Sequence, residues 1–174
     1  VTKVTMDADR TVYAKWEEDK TPDLDKGDHS AYIIGYTDGT VRPNRNITRA
    51  EVATIFFRLL TEESRQAHWA STNAYTDVQD SDWCSNAIST LSNMGILKGY
   101  SDGTFRPGEP VTRAQFAVIA ARFCSQAVEG TASFSDVPAD YWAAKEIVKA
   151  EQLGWIKGYS DGTFRPGRNI TRAE

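Results

Sequence analysis

Apolar residues recur along this chain in two helical registers, separated by polar loops punctuated with glycine. Val52, Ile55, Phe56, Leu59 and Leu60 fall at i, i+3, i+4, i+7 and i+8, the stripe of a helix with one face against a core. Phe116, Ile119, Ala120, Phe123 and Cys124 repeat that stripe. A second kind of helix is predicted upstream, where Trp83, Ile88 and Met94 match Trp142, Ile147 and Leu153 59 residues later, with Gly95 and Gly154 placed as C-terminal caps. Trp83 and Trp142 lie on that apolar register and are expected in the core. The first 16 residues read differently: Val1 to Met6 and Thr11 to Trp16 are β-prone runs around an Asp7-Ala8-Asp9 turn. A lone hairpin is marginal in water, so this segment is expected to be the last hairpin of a preceding β module.

Between the helices one segment occurs three times: Gly35-Tyr36-Thr37-Asp38-Gly39-Thr40-Val41-Arg42-Pro43, then Gly99 to Pro107, then Gly158 to Pro166. After four more residues each copy continues with Thr-Arg-Ala-Glu or Thr-Arg-Ala-Gln, at Thr48 to Glu51, Thr112 to Gln115 and Thr171 to Glu174. From Gly35 to Gly99 is 64 residues and from Gly99 to Gly158 a further 59, and a gap-free threefold match of this kind is not chance. The repeating unit is helix A, turn-rich loop, helix B. Residues 28–64 form repeat 1 with only a stub of helix A (Asp28 to Ile34), 75–126 form repeat 2, and 134–174 form repeat 3 without its helix B. Residues 1–18 are the hairpin and 19–27 a charged linker; the polar stretches 61–74 and 125–133 join the repeats. The chain shows no signal-peptide pattern at Val1 and closes on a helix-start motif, so it is expected to be a piece of a longer protein.

The loop residues have distinct physical uses. Asp-Gly suits a tight turn with positive φ, Gly35, Gly99 and Gly158 are expected to end helix A, and Arg-Pro is expected to force an extended exit. Thr-x-x-Glu/Gln is a capping box that starts helix B at Arg49, Arg113 and Arg172. A cation at the first helical position opposes the macrodipole, where an acid would stabilise by roughly 0.3–1 kcal/mol, yet the choice is made three times. Two readings of these arginines stand level. Free amides at a helix start favour an anion, and an Arg fork beside them completes a carboxylate or phosphate site. Alternatively each arginine pairs with its own repeat's Asp38, Asp102 or Asp161 and pins loop to helix. Tyr36, Tyr100, Tyr159 and Trp155 are candidate platforms for stacking sugars in a groove.

Composition narrows the field. The chain has 174 residues, 40% hydrophobic and 25% charged, which is ordinary globular material. A net charge of −4 excludes nucleic-acid binding through bulk positive charge, and no apolar run approaches the roughly 20 residues of a membrane span. Two His and two Cys leave no Cys/His zinc cluster, and one carboxylate per loop falls short of a calcium set, so neither metal nor cofactor is expected. His29 and His68 do not recur with the repeats and read as solvated, and no nucleophile–base constellation has a structural context. Cys84 and Cys124 are expected as unpaired thiols, although antiparallel packing of the two helices of repeat 2 would bring them near each other.

Gly-Tyr-x-Asp-Gly-Thr-Phe-Arg-Pro followed by Ile/Val-Thr-Arg-Ala-Glu/Gln resembles the S-layer homology domain of bacterial cell-surface proteins, over about Asp28 to Glu174. The resemblance implies a mainly α fold in which three tandem copies form one pseudo-threefold bundle. It also implies a non-enzymatic, extracellular role: anchoring a surface protein to the cell wall through a secondary cell wall polymer, typically one ending in pyruvylated N-acetylmannosamine. A ketal pyruvate carries a carboxylate, which tips the balance toward the pocket reading. Position by position, the resemblance carries a ligand role to Arg49, Arg113 and Arg172, and to the loop pairs Asp38-Gly39, Asp102-Gly103 and Asp161-Gly162. Peptidoglycan contact, or self-assembly with other S-layer subunits, is the competing expectation. Recognition would be local, because the acidic chain repels an acidic polymer and salt limits each arginine's reach to about 8–10 Å. On this reading Arg113→Ala should lose polymer binding and leave the fold intact. Val4 to Trp16 resembles the end of an internalin-type B repeat, a small β module of surface proteins.

Overall fold

The computed structural model describes residues 21–27 and 31–174; the expected hairpin at 1–18, the head of the linker, and Asp28, His29 and Ser30 lie outside the described residues. The described chain is helix and loop: α1 (Arg49–Leu59), α2 (Glu62–Ala67), α3 (Ser85–Asn93), α4 (Arg113–Ala121) and α5 (Ala144–Gln152), with strand character confined to isolated bridges. Residues 31–34, the rest of the expected helix A stub, are irregular.

Helices α1 and α4 start where the capping box puts them. The Thr48 hydroxyl accepts from the Glu51 amide while the Glu51 carboxylate accepts from the Thr48 amide at 2.9 Å. Gln115 closes the same box on Thr112 at 3.1 Å, so a neutral residue suffices for the cap. Helices α3 and α5 end in Schellman motifs: Ile96 and Trp155 donate to the Leu91 and Ala150 carbonyls, both at 2.9 Å, around Gly95 (φ 73°) and Gly154 (φ 72°). Helix α2 occupies the start of the stretch read as a linker. It has no buried face to betray it in sequence, and it is set by Thr61, whose hydroxyl accepts from the Ser64 amide at 3.1 Å. His68 caps its end half-buried, against the Ser64 carbonyl.

Packing joins neighbouring repeats. Helix B of repeat 1 (α1) packs on helix A of repeat 2 (α3), and helix B of repeat 2 (α4) on helix A of repeat 3 (α5). Val52, Leu60, Ile88, Leu91 and Phe105 fill the first core, and Ala117, Ala143, Ile147 and Phe164 the second. Phe56 of α1 stacks on Phe123 at 4.9 Å and tilts against Phe116 of α4 at 5.8 Å, which brings the two helices B together. Because α3 is claimed by α1, the antiparallel pairing that would have approached Cys84 to Cys124 does not arise, and both thiols are free. Trp83 and Trp142 are not core: they are 69% and 59% exposed. They precede α3 and α5, so the helical register does not extend back to them, and Ile88 and Ile147 occupy the buried positions instead.

The segments just ahead of the three Thr-Arg motifs meet in a closed cycle. Ile47 N–H donates to the Ile170 carbonyl at 3.1 Å, Ile170 N–H to Val111 at 3.0 Å, and Val111 N–H to Ile47 at 3.0 Å. The next amides repeat the rule at 2.9 Å, with Arg49 donating to the Glu109 carbonyl, Arg113 to Arg168 and Arg172 to Arg45. Each helix start therefore hangs on the following repeat's loop, and the third hangs on the first.

Candidate functional site

Each repeated loop is a tight hairpin turn. Tyr36 N–H donates to the Thr40 carbonyl and Gly39 N–H to Tyr36, with Gly39 at φ 78°, and Gly103 and Gly162 match it at 81° and 77°. The Asp side chain completes the turn. One oxygen takes the amide and hydroxyl of the Thr two residues on, and the other pairs with the arginine of Arg-Pro: Asp38 with Arg42 at 2.8 Å, Asp102 with Arg106 at 2.9 Å, Asp161 with Arg165 at 2.8 Å. The Thr hydroxyl first, then the guanidinium, hold the Asp102 and Asp161 carboxyls at about 2, and Asp38 is lowered further by the same groups. The aspartates thus pair with a different arginine from the one the ion-pair reading gave them.

Arg-Pro does not make an extended exit. Arg42, Arg106 and Arg165 stand at φ 53°, 59° and 58°, a left-handed conformation that a non-glycine residue before proline rarely adopts. Their side chains are fixed in return, with Nε donating to the loop Thr hydroxyl and the guanidinium 4.0 Å above the loop Tyr ring. In repeats 2 and 3 a carboxylate secures the backbone as well. Asp77 accepts from the Phe105 and Arg106 amides, and Asp136 from those of Phe164 and Arg165, all at 2.7 Å. The sequence signal for these two is Tyr75-Thr-Asp77-Val matched by Phe134-Ser-Asp136-Val. Gly99 and Gly158 do not end helices either; a Cβ there would lie 2.3 Å from the Tyr75 ring and 2.2 Å from the Phe134 ring, so they are glycine because an aromatic ring sits on them.

The three arginines at helix starts are struts between repeats. Arg49 donates Nε to the Phe105 carbonyl at 2.7 Å and Nη2 to Lys98 at 3.0 Å. Arg113 does the same to Phe164 at 2.8 Å and Lys157 at 2.9 Å, and Arg172 to Val41 at 2.8 Å and Ile34 at 3.1 Å. Their positive charge at the helix start is thus met by carbonyls of the next repeat. Burial works against the charge of Arg49 and Arg113 and lowers both from the usual guanidinium value.

One cleft opens beside each strut. Arg172 lines a cleft of about 240 Å³ with Tyr36, Glu51, Ile55, Arg58 and Trp83. Arg49 lines one of about 170 Å³ with Lys98, Tyr100, Gln115, Arg122 and Trp142. Arg113 lines one of about 210 Å³ with Phe116, Trp155, Lys157 and Glu174. Of the expected residues, Arg49, Arg113, Arg172, Tyr36, Tyr100 and Trp155 line clefts. Tyr159 stands behind Arg113, its ring centroid 5.1 Å from the guanidinium carbon, and Asp38, Asp102, Asp161, Gly39, Gly103 and Gly162 belong to the turns outside the lining. The exposed indoles of Trp83 and Trp142, expected in the core, are cleft walls. Among the described residues no cluster of three or more His, Cys, Asp or Glu gathers as a metal site, and no helix is long and apolar enough to cross a membrane.

The family model for the S-layer homology domain matches residues 30–53, 74–117 and 133–174. The chain is 44% identical over 161 residues to cell surface glycoprotein 1 of Acetivibrio thermocellus, covering 85% of the chain and 7% of that protein. It is 38% identical over 154 residues to the cellulosome-anchoring protein of the same organism, with 85% and 34% covered. An amylopullulanase of Thermoanaerobacterium thermosulfurigenes is 31% identical over 180 residues, with 93% and 9% covered. The chain therefore spans about a third or less of the length of these relatives.

Proposed function

Because the chain belongs to the S-layer homology domain family, we propose that it is a non-enzymatic anchor which holds a larger exported bacterial protein to the cell wall by binding an anionic, pyruvylated secondary wall polysaccharide. The observation that carries this reading is the set of clefts between repeats, each joining an arginine fork at a helix start to exposed aromatic or apolar walls. A carboxylate docks on a guanidinium, and a sugar ring's apolar face stacks on an indole such as Trp83, Trp142 or Trp155. The names of the relatives, a cell-surface glycoprotein and a cellulosome-anchoring protein, support the extracellular, wall-bound setting. Enzymatic activity would reside in other parts of such proteins, as the name amylopullulanase implies for that relative.

The cyclic bonds among Ile47, Val111 and Ile170 support a pseudo-threefold unit built from repeats 28–64, 75–126 and 134–174. Several weak clefts on one unit would bind a repetitive polymer with an avidity none has alone. The test is co-sedimentation with purified wall sacculi, before and after chemical removal of the pyruvate ketals. Binding should be strong to native sacculi and lost from depyruvylated ones. Binding that ignores the ketal would favour peptidoglycan contact or self-assembly and overturn this reading.

A further inference from the structure

The three clefts differ at one lining position, and we propose that the cleft between repeats 1 and 2 is the anion-selective one. It takes the carboxylate-bearing sugar, while the cleft closed by Glu51 selects an uncharged unit of the same polymer. This rests on the wall-polymer reading above. The variable position is the third residue of helix B. In the Arg172 cleft it is Glu51, whose carboxylate accepts from Arg172 Nη1 at 2.6 Å, from the Tyr36 hydroxyl at 3.0 Å and from Arg45. In the Arg113 cleft it is Glu174, 3.8 Å from Arg113 Nη1 and paired with Arg168. In the Arg49 cleft it is Gln115, which is neutral and whose oxygen is taken by the Thr112 amide.

Arg49 is left as the odd one. Its side chain is buried, at 7% exposure, with Nε and Nη2 spent on carbonyls, and Nη1 has no acceptor among the described residues. Lys98 and Arg122 line the same cleft and no acid does. Arg122 turns Nη1 to the Ile96 carbonyl at 2.7 Å. The acids whose fields act on these arginines lie outside the lining. Glu109 is held by the Tyr100 hydroxyl at 3.2 Å and by Arg106 at 3.5 Å, and Glu146 acts on Arg122 from α5. A ligand carboxylate entering here would take the place at Arg49 that Glu51 takes at Arg172, with the Trp142 indole as its wall. Entering the Arg172 cleft, the same group would face Glu51, and like charges side by side are repelled.

The structure supplies its own conservative exchanges, because the capping box closes with either Glu or Gln. The experiment is calorimetric titration of the full chain with the methyl glycoside of N-acetylmannosamine carrying a 4,6-pyruvate ketal, with melting curves to confirm folding. Gln115→Glu should weaken binding by about tenfold or more, and Glu51→Gln should raise the number of ketal sites by one. Unchanged affinity in a folded Gln115→Glu, or no added site in a folded Glu51→Gln, overturns the assignment. If the unaltered chain binds the ketal sugar and the exchanges have no effect, only this assignment falls. If it binds neither the ketal sugar nor sacculi, the anchoring reading falls with it.

Discussion

Arg113→Ala separates a strut from a ligand group. The side chain is 12% exposed and joins the first residue of α4 to repeat 3 through the Phe164 carbonyl at 2.8 Å and the Lys157 carbonyl at 2.9 Å. Hydrogen bonds from a charged donor contribute about 1.5–3 kcal/mol each, and truncation leaves the Phe164 carbonyl without that donor. Relief of the unfavourable charge at the helix start returns only about 0.3–1 kcal/mol. The net expectation is a destabilisation of about 2–5 kcal/mol, or a melting temperature lower by about 5–20 °C for a chain of this size. Arg113→Lys keeps the charge and loses the fork, so it should fall between the two. Urea unfolding followed by circular dichroism measures all three proteins under one condition. An Arg113→Ala protein as stable as the parent would refute the strut and restore the expectation, drawn from the dipole alone, that the fold is indifferent to this side chain.

Asp136→Asn leaves one oxygen for two amides, so it should destabilise by about 1–3 kcal/mol in urea and speed hydrogen exchange at Phe164 or Arg165. Gly158→Ala should destabilise by about 1–3 kcal/mol because its Cβ would lie 2.2 Å from the Phe134 ring, whereas Gly167→Ala, with nothing within 4 Å, should not. A pH series of melting temperatures tests Glu51. Burial pushes its carboxyl up, but the Thr48 amide, the Tyr36 hydroxyl, Arg45 and Arg172 together outweigh burial and bring it below the usual value. A carboxyl depressed by folding stabilises above its unfolded value of about 4.3, and the gain is lost as pH falls through the folded value. Glu51→Gln should therefore flatten the acid limb of the curve, and an unchanged limb would show that Glu51 is not coupled to folding.

What was legible in the sequence was whatever is decided within a few residues. The capping boxes at Thr48 and Thr112, the glycine caps at Gly95 and Gly154, and the Asp-Gly turns all lie where local chemistry put them. What was not legible depends on chain segments far apart. Arg49 and Arg113 find their carbonyls 56 and 51 residues away, and Arg172 finds Val41 across 131. The pattern therefore showed that these arginines needed a reason without showing which one. Trp83 and Trp142 misled because apolar spacing was extended past the helix start, where the wall of a cleft and the wall of a core look alike in one dimension. The left-handed Arg42, Arg106 and Arg165 ran against the ordinary rule for a residue before proline because side-chain contacts to Asp, Thr and Tyr, repeated in every loop, hold what the backbone alone disfavours.

The cycle through Ile47, Val111 and Ile170 makes cooperativity a matter of topology. In an open stack of repeats, removing one unit shortens the array and leaves the others standing. Here the last contact returns to the first, so excising any unit orphans the start of one helix and the loop of another at the same time. Thermal unfolding should accordingly proceed as one event, and gain or loss of single repeats in such a unit would be tolerated only in multiples that close the circle again.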